Sequence, residues 1–361
     1  MFYSLCLFQG KKILITGHTG FKGSWLTAFL YNFNAKILGI SLPGESNGQF
    51  KFFKKIKIFK DARFDICDYG KLKKTIKNFK PDFIFHLAAQ SLVIKSIHDP
   101  IHTWKSNLIG TLNILNCLRE IKHNCTAILI TSDKCYKNKE IWRGYKEEDE
   151  LGGSDPYSAS KASAEICINS FFQTYLKNKT NVKIASCRAG NVIGGGDWSE
   201  NRIIPDFIKA WKKNKTLIVR NPNSTRPWQF VLEPLYGYML LAKNLKFNKK
   251  INGQSFNFGP KAKKHINVRK LISTMTNHIN FSKIKFLRNN KNSKESALLQ
   301  LNSKKAKKNL TWETELDIDL TLNLISDWYE KFFIHKKSVD SITLSQIKFY
   351  INKVNAKSRK N

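Results

Sequence analysis

Tyr157 and Lys161 are the residues of this chain best suited to acid–base chemistry, because they stand four positions apart in a segment with helical spacing. On a helix, that spacing puts the phenol and the ammonium on one face. A neighbouring positive charge lowers the pKa of a phenol from about 10 towards the working range of a general base. In so lysine-rich a chain, however, such a pair taken alone is more often a solvated surface feature.

Two further groups of residues turn this pair into a candidate site. Ser132, Asp133 and Lys134 directly follow an apolar strand predicted over residues 127–131. The glycine-rich turn GHTGFKG at residues 17–23 follows another predicted strand and opens a predicted helix. Glycines at such a turn let backbone N–H groups and the helix N-terminus approach a dinucleotide pyrophosphate. The spacing is G-x-x-G-x-x-G rather than G-x-G-x-x-G, and three glycines after a strand also occur in plain tight turns.

Strands alternate with helices throughout the first half of the chain. Strands are predicted over residues 11–16, 35–40, 83–87 and 127–131, and helices over residues 24–33, 69–79, 103–120 and 157–176. This alternation predicts a Rossmann-type α/β fold, a doubly wound parallel sheet whose ligand lies at the carboxyl ends of the strands. Beyond Arg188 the alternation breaks into glycine-rich and aromatic segments, which predicts a smaller C-terminal substrate-binding domain.

The domain boundaries follow from these changes of pattern. We expect an NAD-binding domain over residues 8–190 with a later return near residues 229–258, and a sugar-nucleotide-binding domain over residues 191–228 and 259–335. Residues 336–361 are expected to form a basic C-terminal extension, of which residues 353–361 read as a frayed, solvated tail.

The end of the second predicted strand bears on the choice of cofactor. An NAD site usually has an acidic residue there for the ribose hydroxyls, and this chain has Ser41. No Arg or Lys follows before Lys51, so a 2′-phosphate pocket for NADP is not indicated, although His18 or Lys22 could supply charge. We therefore expect NAD. The residues expected to line its site are Gly17, His18, Gly20, Phe21, Lys22, Gly23, Ser41, Asp65, Ile66, Leu87, Ala88, Ala89, Gln90, Tyr157 and Lys161.

Composition limits the partners and the compartment. Lys and Arg number 62 against 27 Asp and Glu, which gives a net charge of +35. Such a charge could attract nucleic acid or an anionic membrane, but the lysines are spread from end to end, and we expect neither partner. The seven cysteines are scattered and never spaced C-x-x-C, so we expect reduced thiols, no metal site and a cytoplasmic protein.

Larger sequence blocks resemble a known family. The blocks are GHTGFKGSW at residues 17–25, TSDKCY at 131–136, DPYSASK at 155–161, RAGNVIGGGDW at 188–198 and RPWQFVLEP at 226–234. Together they resemble the extended short-chain dehydrogenase/reductase family of sugar-nucleotide epimerases and dehydratases, with its triad at Ser132, Tyr157 and Lys161. Within that family they are most similar to the enzymes that dehydrate CDP-glucose.

The resemblance implies an NAD-dependent lyase that converts CDP-D-glucose to CDP-4-keto-6-deoxy-D-glucose and water, a step in deoxysugar synthesis for O-antigen lipopolysaccharide. Tyr157, helped by Ser132, would take the proton of the sugar 4-hydroxyl, while Lys161 anchors the cofactor ribose and lowers the pKa of Tyr157. Asp133 would be the acid that protonates the departing 6-hydroxyl. Lys134 would be the base at C5, which requires its neutral form; alternatively Lys134 only pairs with Asp133.

The resemblance also assigns substrate contacts and an assembly. Asn191 would contact the sugar nucleotide, and Arg202 and Arg226 would face its diphosphate. The helices predicted over residues 103–120 and 157–176 would form a four-helix bundle in a homodimer, or in a tetramer built from it. We expect Trp312 and His86 to be packing residues, and residues 194–196 to form a mobile glycine loop over the pocket.

Three alternatives stay open at this point. A sugar-nucleotide 4-epimerase would use the same triad but needs no acid and base at C5 and C6, and a 4,6-dehydratase could act on another nucleotide hexose. A reductase fold adapted to bind RNA would account for the charge of +35, but the chain lacks the aromatic and basic stacking motifs of RNA-reading modules.

Overall fold

The computed structural model describes residues 2–44, 47–261, 266–287 and 299–358. Its main sheet has seven strands: β1 (Lys12–Thr16), β2 (Lys36–Ser41), β3 (Lys60–Arg63), β4 (Phe83–His86), β5 (Cys125–Ile130), β6 (Val182–Ala189) and β11 (Ser255–Phe258). Their spatial order is β11-β6-β5-β4-β1-β2-β3, and all neighbours are parallel. This arrangement confirms the predicted doubly wound α/β fold.

Helices cover both faces of this sheet. They are α1 (Phe21–Tyr31), α2 (Tyr69–Phe79), α3 (Val93–His98), α4 (Pro100–Trp104), α5 (Gly110–Glu120), α6 (Pro156–Phe171), α7 (Ile203–Lys212), α8 (Leu232–Phe247), α9 (Val268–His278), α10 (Lys304–Leu310), α11 (Ile318–Phe333) and α12 (Val339–Ser358). One buried core lies between the sheet and α1, α8 and α11, and a second lies between the sheet and α2, α5 and α6. Both faces are covered, so strands β4 and β5 are buried along their whole length and consist mainly of apolar residues.

Short strand pairs connect the segments beyond β6. They are β7 (Val192–Ile193) with β10 (Gln229–Phe230), β9 (Thr225–Arg226) with β12 (Ile266–Asn267), and β8 (Leu217–Val219) with β13 (Ile284–Phe286). The strand β11 then returns to the main sheet beside β6. The later return expected near residues 229–258 therefore includes a seventh parallel strand.

The helix predicted over residues 103–120 is built from three consecutive pieces. Its first turns belong to α4, a π-helical turn spans Lys105–Ile109, and α5 continues to Glu120. A second π-helical turn, Phe172–Leu176, extends α6. Single π turns inside helices are frequent at functional sites because they rotate the side chains that follow.

Two predictions about irregular segments are wrong. The glycine segment 194–196 is buried: the indole Nε1 of Trp25 donates to the Gly195 carbonyl at 2.9 Å, and a Cβ on Gly195 would lie 2.1 Å from the ring of Trp328. The expected tail is helical through Ser358, with Val354 buried, because α12 packs its apolar side on α1 and α11. Residues 359–361 of that prediction lie outside the described residues.

Two packing predictions are confirmed. The ring nitrogens of His86 lie 2.7 Å from the hydroxyl of Thr16 and 3.1 Å from that of Thr111, and burial lowers the pKa of His86 to about 3. Trp312 is buried, and its Nε1 donates to the carbonyl of Glu233 at 3.0 Å. Among the described helices, none combines the length and apolar composition needed to cross a bilayer.

Candidate active site

The carboxyl ends of β1 and β4 meet where the strand order of the sheet reverses, which is the usual ligand position in such folds. The glycine turn after β1 fills this position. Gly17 has a φ of +75°, and a Cβ on it would lie 2.8 Å from the amide nitrogen of Ala88. A Cβ on Gly23 would lie 2.0 Å from the Gly17 carbonyl oxygen, so close packing requires glycine at both positions.

The outer side of the same turn is open. A Cβ on Gly20 would meet only the carbonyl of Gly17, at 3.4 Å. Helix α1 begins at Phe21, and among the described residues no side chain caps its first N–H groups. A helix N-terminus approached by glycine backbone is a binding site for the phosphates of a dinucleotide, so this turn fits the expected group.

At the end of β2, Ser41 and His18 share a hydrogen bond of 3.0 Å between Oγ and Nδ1. The other ring nitrogen of His18 lies 3.0 Å from Oδ1 of Asp61. Burial lowers the pKa of His18, and the charge of Asp61 opposes that effect. Asp61 lies on β3 opposite Gly39, so an acidic side chain reaches this edge from the neighbouring strand.

Sequence reasoning missed Asp61 and Arg63 because it considered only the end of β2. Arg63 stands in register with Ser41 on β3, and its guanidinium binds the carboxylate of Asp61 at 2.6 and 2.7 Å. A basic residue therefore does stand beside Ser41, with its charge paired. Of the other expected cofactor residues, Leu87, Ala88 and Ala89 follow β4, and Asp65 and Ile66 follow β3, all at this edge of the sheet.

Gln90 differs from its neighbours because its side chain forms hydrogen bonds within the protein. Its Nε2 donates to the carbonyl of Leu92 and to the hydroxyl of Thr103, at 3.0 and 2.9 Å. Asn107, on the π turn, donates to the Gln90 carbonyl at 3.0 Å and to the hydroxyl of Ser160 at 2.9 Å. Asn107 thus connects the loop after β4 to α6. No spacing in the sequence indicates this role of Asn107, because π turns have no simple sequence pattern.

Helix α6 carries the central pair of the site. Asp155 caps its first turn by accepting from the amide of Ser158 at 3.0 Å, and Pro156 occupies the first helical position. Tyr157 and Lys161 are both buried on the face that packs against the end of β5. The predicted shared face is therefore confirmed.

The pKa of Tyr157 is raised in this structure rather than lowered as predicted, and the role of Lys161 towards Tyr157 beside a bound cofactor stays a prediction. Burial raises the pKa of Tyr157 to about 12, the hydrogen bond with Ser132 lowers it, and the charge of Asp133 raises it. The Nζ atom of Lys161 instead donates to the carbonyl of Ile130 at 3.4 Å. Burial lowers the pKa of Lys161 to about 8.

Lys22 is the second buried ammonium of the site. Burial lowers its pKa to about 8, the charge of Arg202 lowers it further, and the charge of Asp133 raises it. The positive charge of Lys22 in turn lowers the pKa of Lys161. Lys22 follows Phe21 at the start of α1, so its ammonium is close enough to the catalytic residues for its charge to act on Lys161.

Asp133 and Lys134 begin a short 3-10 turn directly after β5. The carboxylate of Asp133 is 1% exposed; its Oδ1 accepts from the hydroxyl of Ser132 at 3.0 Å and from the ammonium of Lys134 at 3.5 Å. Its Oδ2 has no hydrogen-bond partner among the described residues. Gly190 lies beside that oxygen, where a Cβ would come within 3.3 Å. The structure thus contains a buried acid with one oxygen available next to an amine.

The predicted substrate residues Asn191, Arg202 and Arg226 come from the segments that follow β6. Asn191 follows Gly190, and its buried Oδ1 has no partner among the described residues. The guanidinium of Arg202 donates to Asp197 and Ser91, both at 3.2 Å, and its charge acts on Tyr157 and Lys22. Arg226 lies on β9, and its guanidinium donates to the carbonyl of Thr225 at 2.7 Å.

A buried ion pair joins α6, the helix of Tyr157 and Lys161, to strand β6. Sequence reasoning missed this pair. Glu165, one turn after Lys161, accepts from Arg188 of β6 at 2.7 Å, and both side chains are buried. Glu165 also binds the hydroxyls of Thr131 and Ser186. The pair is not visible in the sequence, because its partners are brought together only by the sheet.

Comparison with known proteins identifies the family. The model of the GDP-mannose 4,6 dehydratase family matches residues 14–324. A CDP-glucose 4,6-dehydratase of Salmonella typhimurium is 38% identical, over 89% of this chain and 91% of the relative. A UDP-glucose 4-epimerase of Mycoplasma genitalium is 26% identical, over 69% of this chain and 76% of the relative.

Solved structures share the fold. An epimerase from Methanothermobacter thermautotrophicus superposes with a TM-score of 0.80 at 22% identity and covers 93% of this chain and 97% of its own. A dTDP-glucose 4,6-dehydratase from Bacillus anthracis, in complex with NAD, has a TM-score of 0.74 at 20% identity, with coverages of 89% and 97%. From the extent of the family match and the identity to the Salmonella relative, the chain belongs to the GDP-mannose 4,6 dehydratase family of extended short-chain dehydrogenases/reductases.

Proposed function

We propose that this protein is an NAD-dependent CDP-glucose 4,6-dehydratase. The observation that carries the proposal is the buried Asp133, with its unpartnered Oδ2 beside the amine of Lys134, next to Ser132 and Tyr157. Elimination of water needs an acid and a base in addition to the triad, whereas epimerisation at C4 does not. The CDP-glucose 4,6-dehydratase of Salmonella typhimurium, 38% identical, supports the same substrate.

The dinucleotide would lie along the carboxyl edge of the sheet. Gly17, Gly20 and the N-terminus of α1 would hold its pyrophosphate, and His18 and Ser41 would face the adenosine ribose. Lys161 would bind the ribose next to the nicotinamide. NAD bound by these residues would supply hydride transfer, from C4 of the sugar and then back to C6.

Tyr157 begins the reaction by taking the proton of the sugar 4-hydroxyl, with Ser132 donating a hydrogen bond to the same oxygen. Oxidation at C4 makes the hydrogen at C5 acidic. Lys134 in its neutral form takes that proton, and Asp133 gives a proton to the departing 6-hydroxyl, which leaves as water. Once C6 has received the hydride, Lys134 returns its proton to C5, and O4 stays a carbonyl in the 4-keto-6-deoxy product. Exchange with solvent then removes the proton from Tyr157 and restores one to Asp133, so the whole sequence is redox-neutral.

Substrate binding would involve residues around Gly190. Asn191 offers an unpartnered amide oxygen to the sugar nucleotide, and Arg202 and Arg226 would bind its diphosphate. On this proposal, residues 8–190 and the return near residues 229–258 bind NAD, whereas residues 191–228 and 259–335 bind the sugar nucleotide.

We propose a homodimer, formed by α4, α5 and α6. Large apolar side chains are exposed on these helices and on the adjoining α3; they are Ile94, Ile97, Ile101, Ile109, Ile166 and Tyr175. An apolar surface of this kind is typical of an interface between subunits. Cytoplasmic function is consistent with seven free cysteines.

A sugar-nucleotide 4-epimerase is the second candidate, because a UDP-glucose 4-epimerase is among the relatives at 26% identity. The test is to incubate the purified protein and NAD with the CDP, dTDP, UDP and GDP derivatives of glucose or mannose, followed by mass detection. The proposal predicts loss of water and a 4-keto chromophore in alkali from CDP-glucose above all others. Conversion of UDP-glucose to an isomer of unchanged mass would contradict it.

A further inference from the structure

Helix α12 is bonded to a segment far away in the sequence. The carboxylate of Asp340, in the first turn of α12, accepts from three consecutive backbone amides: Lys54 at 2.9 Å, Lys55 at 3.0 Å and Ile56 at 2.8 Å. Asp340 is 1% exposed. Hydrogen bonds to a buried charged acceptor are stronger than those between neutral groups, so residues 54–56 are firmly attached to α12.

A second bond joins the same two elements one turn further along. The hydroxyl of Thr343 donates to Oε1 of Gln49 at 2.8 Å, and both side chains are completely buried. Residues 47–56, which we name the bridging segment, are thereby held at both ends by α12. The helix is connected to the bridging segment through two side chains rather than through apolar packing alone.

The bridging segment lies directly on the proposed dinucleotide site. A Cβ on Gly48 would lie 2.4 Å from the carbonyl oxygen of Thr19 and 2.5 Å from that of Gly20, so its backbone touches the glycine turn. The ring of Phe50 meets the imidazole of His18 edge-on, with centroids 4.7 Å apart. His18 is bonded to Ser41 at the end of β2, where the adenosine ribose lies in folds of this type.

We infer that Asp340 and Thr343 are positioning residues for the adenosine half of the dinucleotide, acting through the bridging segment on the glycine turn and His18. The inference rests on the proposed function for the identity of the dinucleotide. Neither residue faces Tyr157, Lys161 or Asp133 in any described contact, so their effect falls on binding of the cofactor and not on the chemical step.

The variants Asp340→Asn and Thr343→Val test this inference, with Asp319→Asn as the control. Asn keeps the shape of Asp340 but loses its charge and turns an amide donor towards the backbone donors. Val replaces Thr343 at nearly the same volume without the hydroxyl. Asp319 is an exposed acid on the neighbouring α11, so its replacement makes the same change of net charge.

Calorimetric titration with NAD, ADP-ribose and nicotinamide mononucleotide gives the main readout, without any sugar nucleotide present. We expect Asp340→Asn to raise the Kd of NAD and of ADP-ribose by about tenfold, and Thr343→Val by about threefold. The Kd of nicotinamide mononucleotide, and kcat at saturating NAD, should stay within about twofold of the parent. Asp319→Asn should change none of these values.

A purely structural role would lower the melting temperature of Asp340→Asn without raising the Kd of NAD, and that result would overturn the inference. If Asp340→Asn fails to fold, an unchanged Kd for NAD in Thr343→Val also overturns the inference. A parent protein that binds NAD but leaves CDP-glucose unchanged overturns the proposed reaction alone, because the binding measurements are independent of turnover. A parent protein that binds no NAD overturns both.

Discussion

The side chains of Tyr157 and Lys161 are both buried on α6, and burial moves their pKa values in opposite directions. The pKa of Tyr157 rises to about 12 and that of Lys161 falls to about 8, because both charged forms lose their hydration. Tyr157 must be ionised before it can accept a proton from a sugar hydroxyl, and with a raised pKa its phenolate form requires added positive charge. The cationic ring of a bound dinucleotide carries such a charge.

The low pKa of Lys161 predicts a pH-dependent stability. The folded protein binds the Lys161 proton less tightly than the unfolded chain does. The contribution of Lys161 to the free energy of unfolding therefore increases as the pH rises from about 8 to about 10.5. Replacing Lys161 by Met removes the buried charge. The variant should be more stable than the parent by about 3 kcal/mol at pH 7, and the difference should vanish near pH 10.5.

Urea denaturation of the ligand-free proteins at several pH values measures this difference. Replacing the exposed Lys270 of α9 by Met is the control, because that ammonium stays in water in both the folded and unfolded chains. A stability difference for Lys161→Met that is the same at every pH would show that the ammonium is not desolvated.

The types and order of Ser132, Tyr157 and Lys161 could be predicted, because each follows a local pattern: a strand end or a helical spacing of four. The pKa of Tyr157 could not be predicted, since it depends on burial and on where the ammonium of Lys161 forms its hydrogen bond. Asp61 was missed for a related reason. It reaches His18 from β3, and only the register of β2 and β3 brings the two together.

At the scale of elements, α6 is held in place by contacts to strands far from it in the sequence. Glu165 bonds to Thr131 after β5, to Ser186 and Arg188 on β6, and to Ser255 on β11. Burial raises the pKa of Glu165, but Arg188 outweighs this effect and leaves the pKa below its ordinary value. The pair is therefore ionised and fixes the catalytic helix against the sheet.

Replacing Glu165 by Gln should destabilise the protein by about 3–5 kcal/mol, because the charge of Arg188 is left buried and uncompensated. Urea denaturation measures the loss. Glu150→Gln is the matched control, since Glu150 pairs with Lys137 and Lys139 on the exposed surface, where ion pairs contribute little. Equal effects of the two substitutions would mean that the buried pair does not hold α6 in place.

The predictions of helices and strands succeeded where apolar residues recur regularly. They failed where contacts between residues far apart in the sequence determine the local structure. Helix α2 and strands β1, β2, β4 and β5 agree with prediction to within a few residues. The sequence predicts an extension with a frayed tail where α12 stands, because lysines alternate there with the apolar residues Ile347, Tyr350 and Val354 that pack against the core. The buried glycine segment 194–196 was likewise unpredictable, since Trp25 and Trp328 cover it from distant helices.

At the scale of the whole molecule, the parallel sheet was predictable because strands alternate with helices through the first half of the chain. Contacts between subunits leave no comparable pattern in the sequence of one chain. The exposed apolar side chains of α4 and α6 predict the dimer. Ile101 is 64% exposed and Ile166 is 58% exposed. Burying such side chains between subunits removes apolar surface from water.

Ile166→Glu should convert the dimer to a monomer, because it places a carboxylate in the proposed interface. Light scattering after size exclusion measures the mass of parent and variant. Ile218→Glu, on the exposed side of β8, is the control and should leave the mass unchanged. A parent protein that is monomeric at micromolar concentration would contradict the proposed assembly.

The central claim is that this molecule removes a hydride from C4 of CDP-glucose, eliminates water and delivers the same hydride to C6. The most direct measurement uses CDP-glucose labelled with deuterium at C4, followed by mass and NMR analysis of the product. The account predicts a 4-keto-6-deoxy sugar that has lost water and carries the deuterium in its methyl group. Deuterium that remains at C4 in a product of unchanged mass would contradict it.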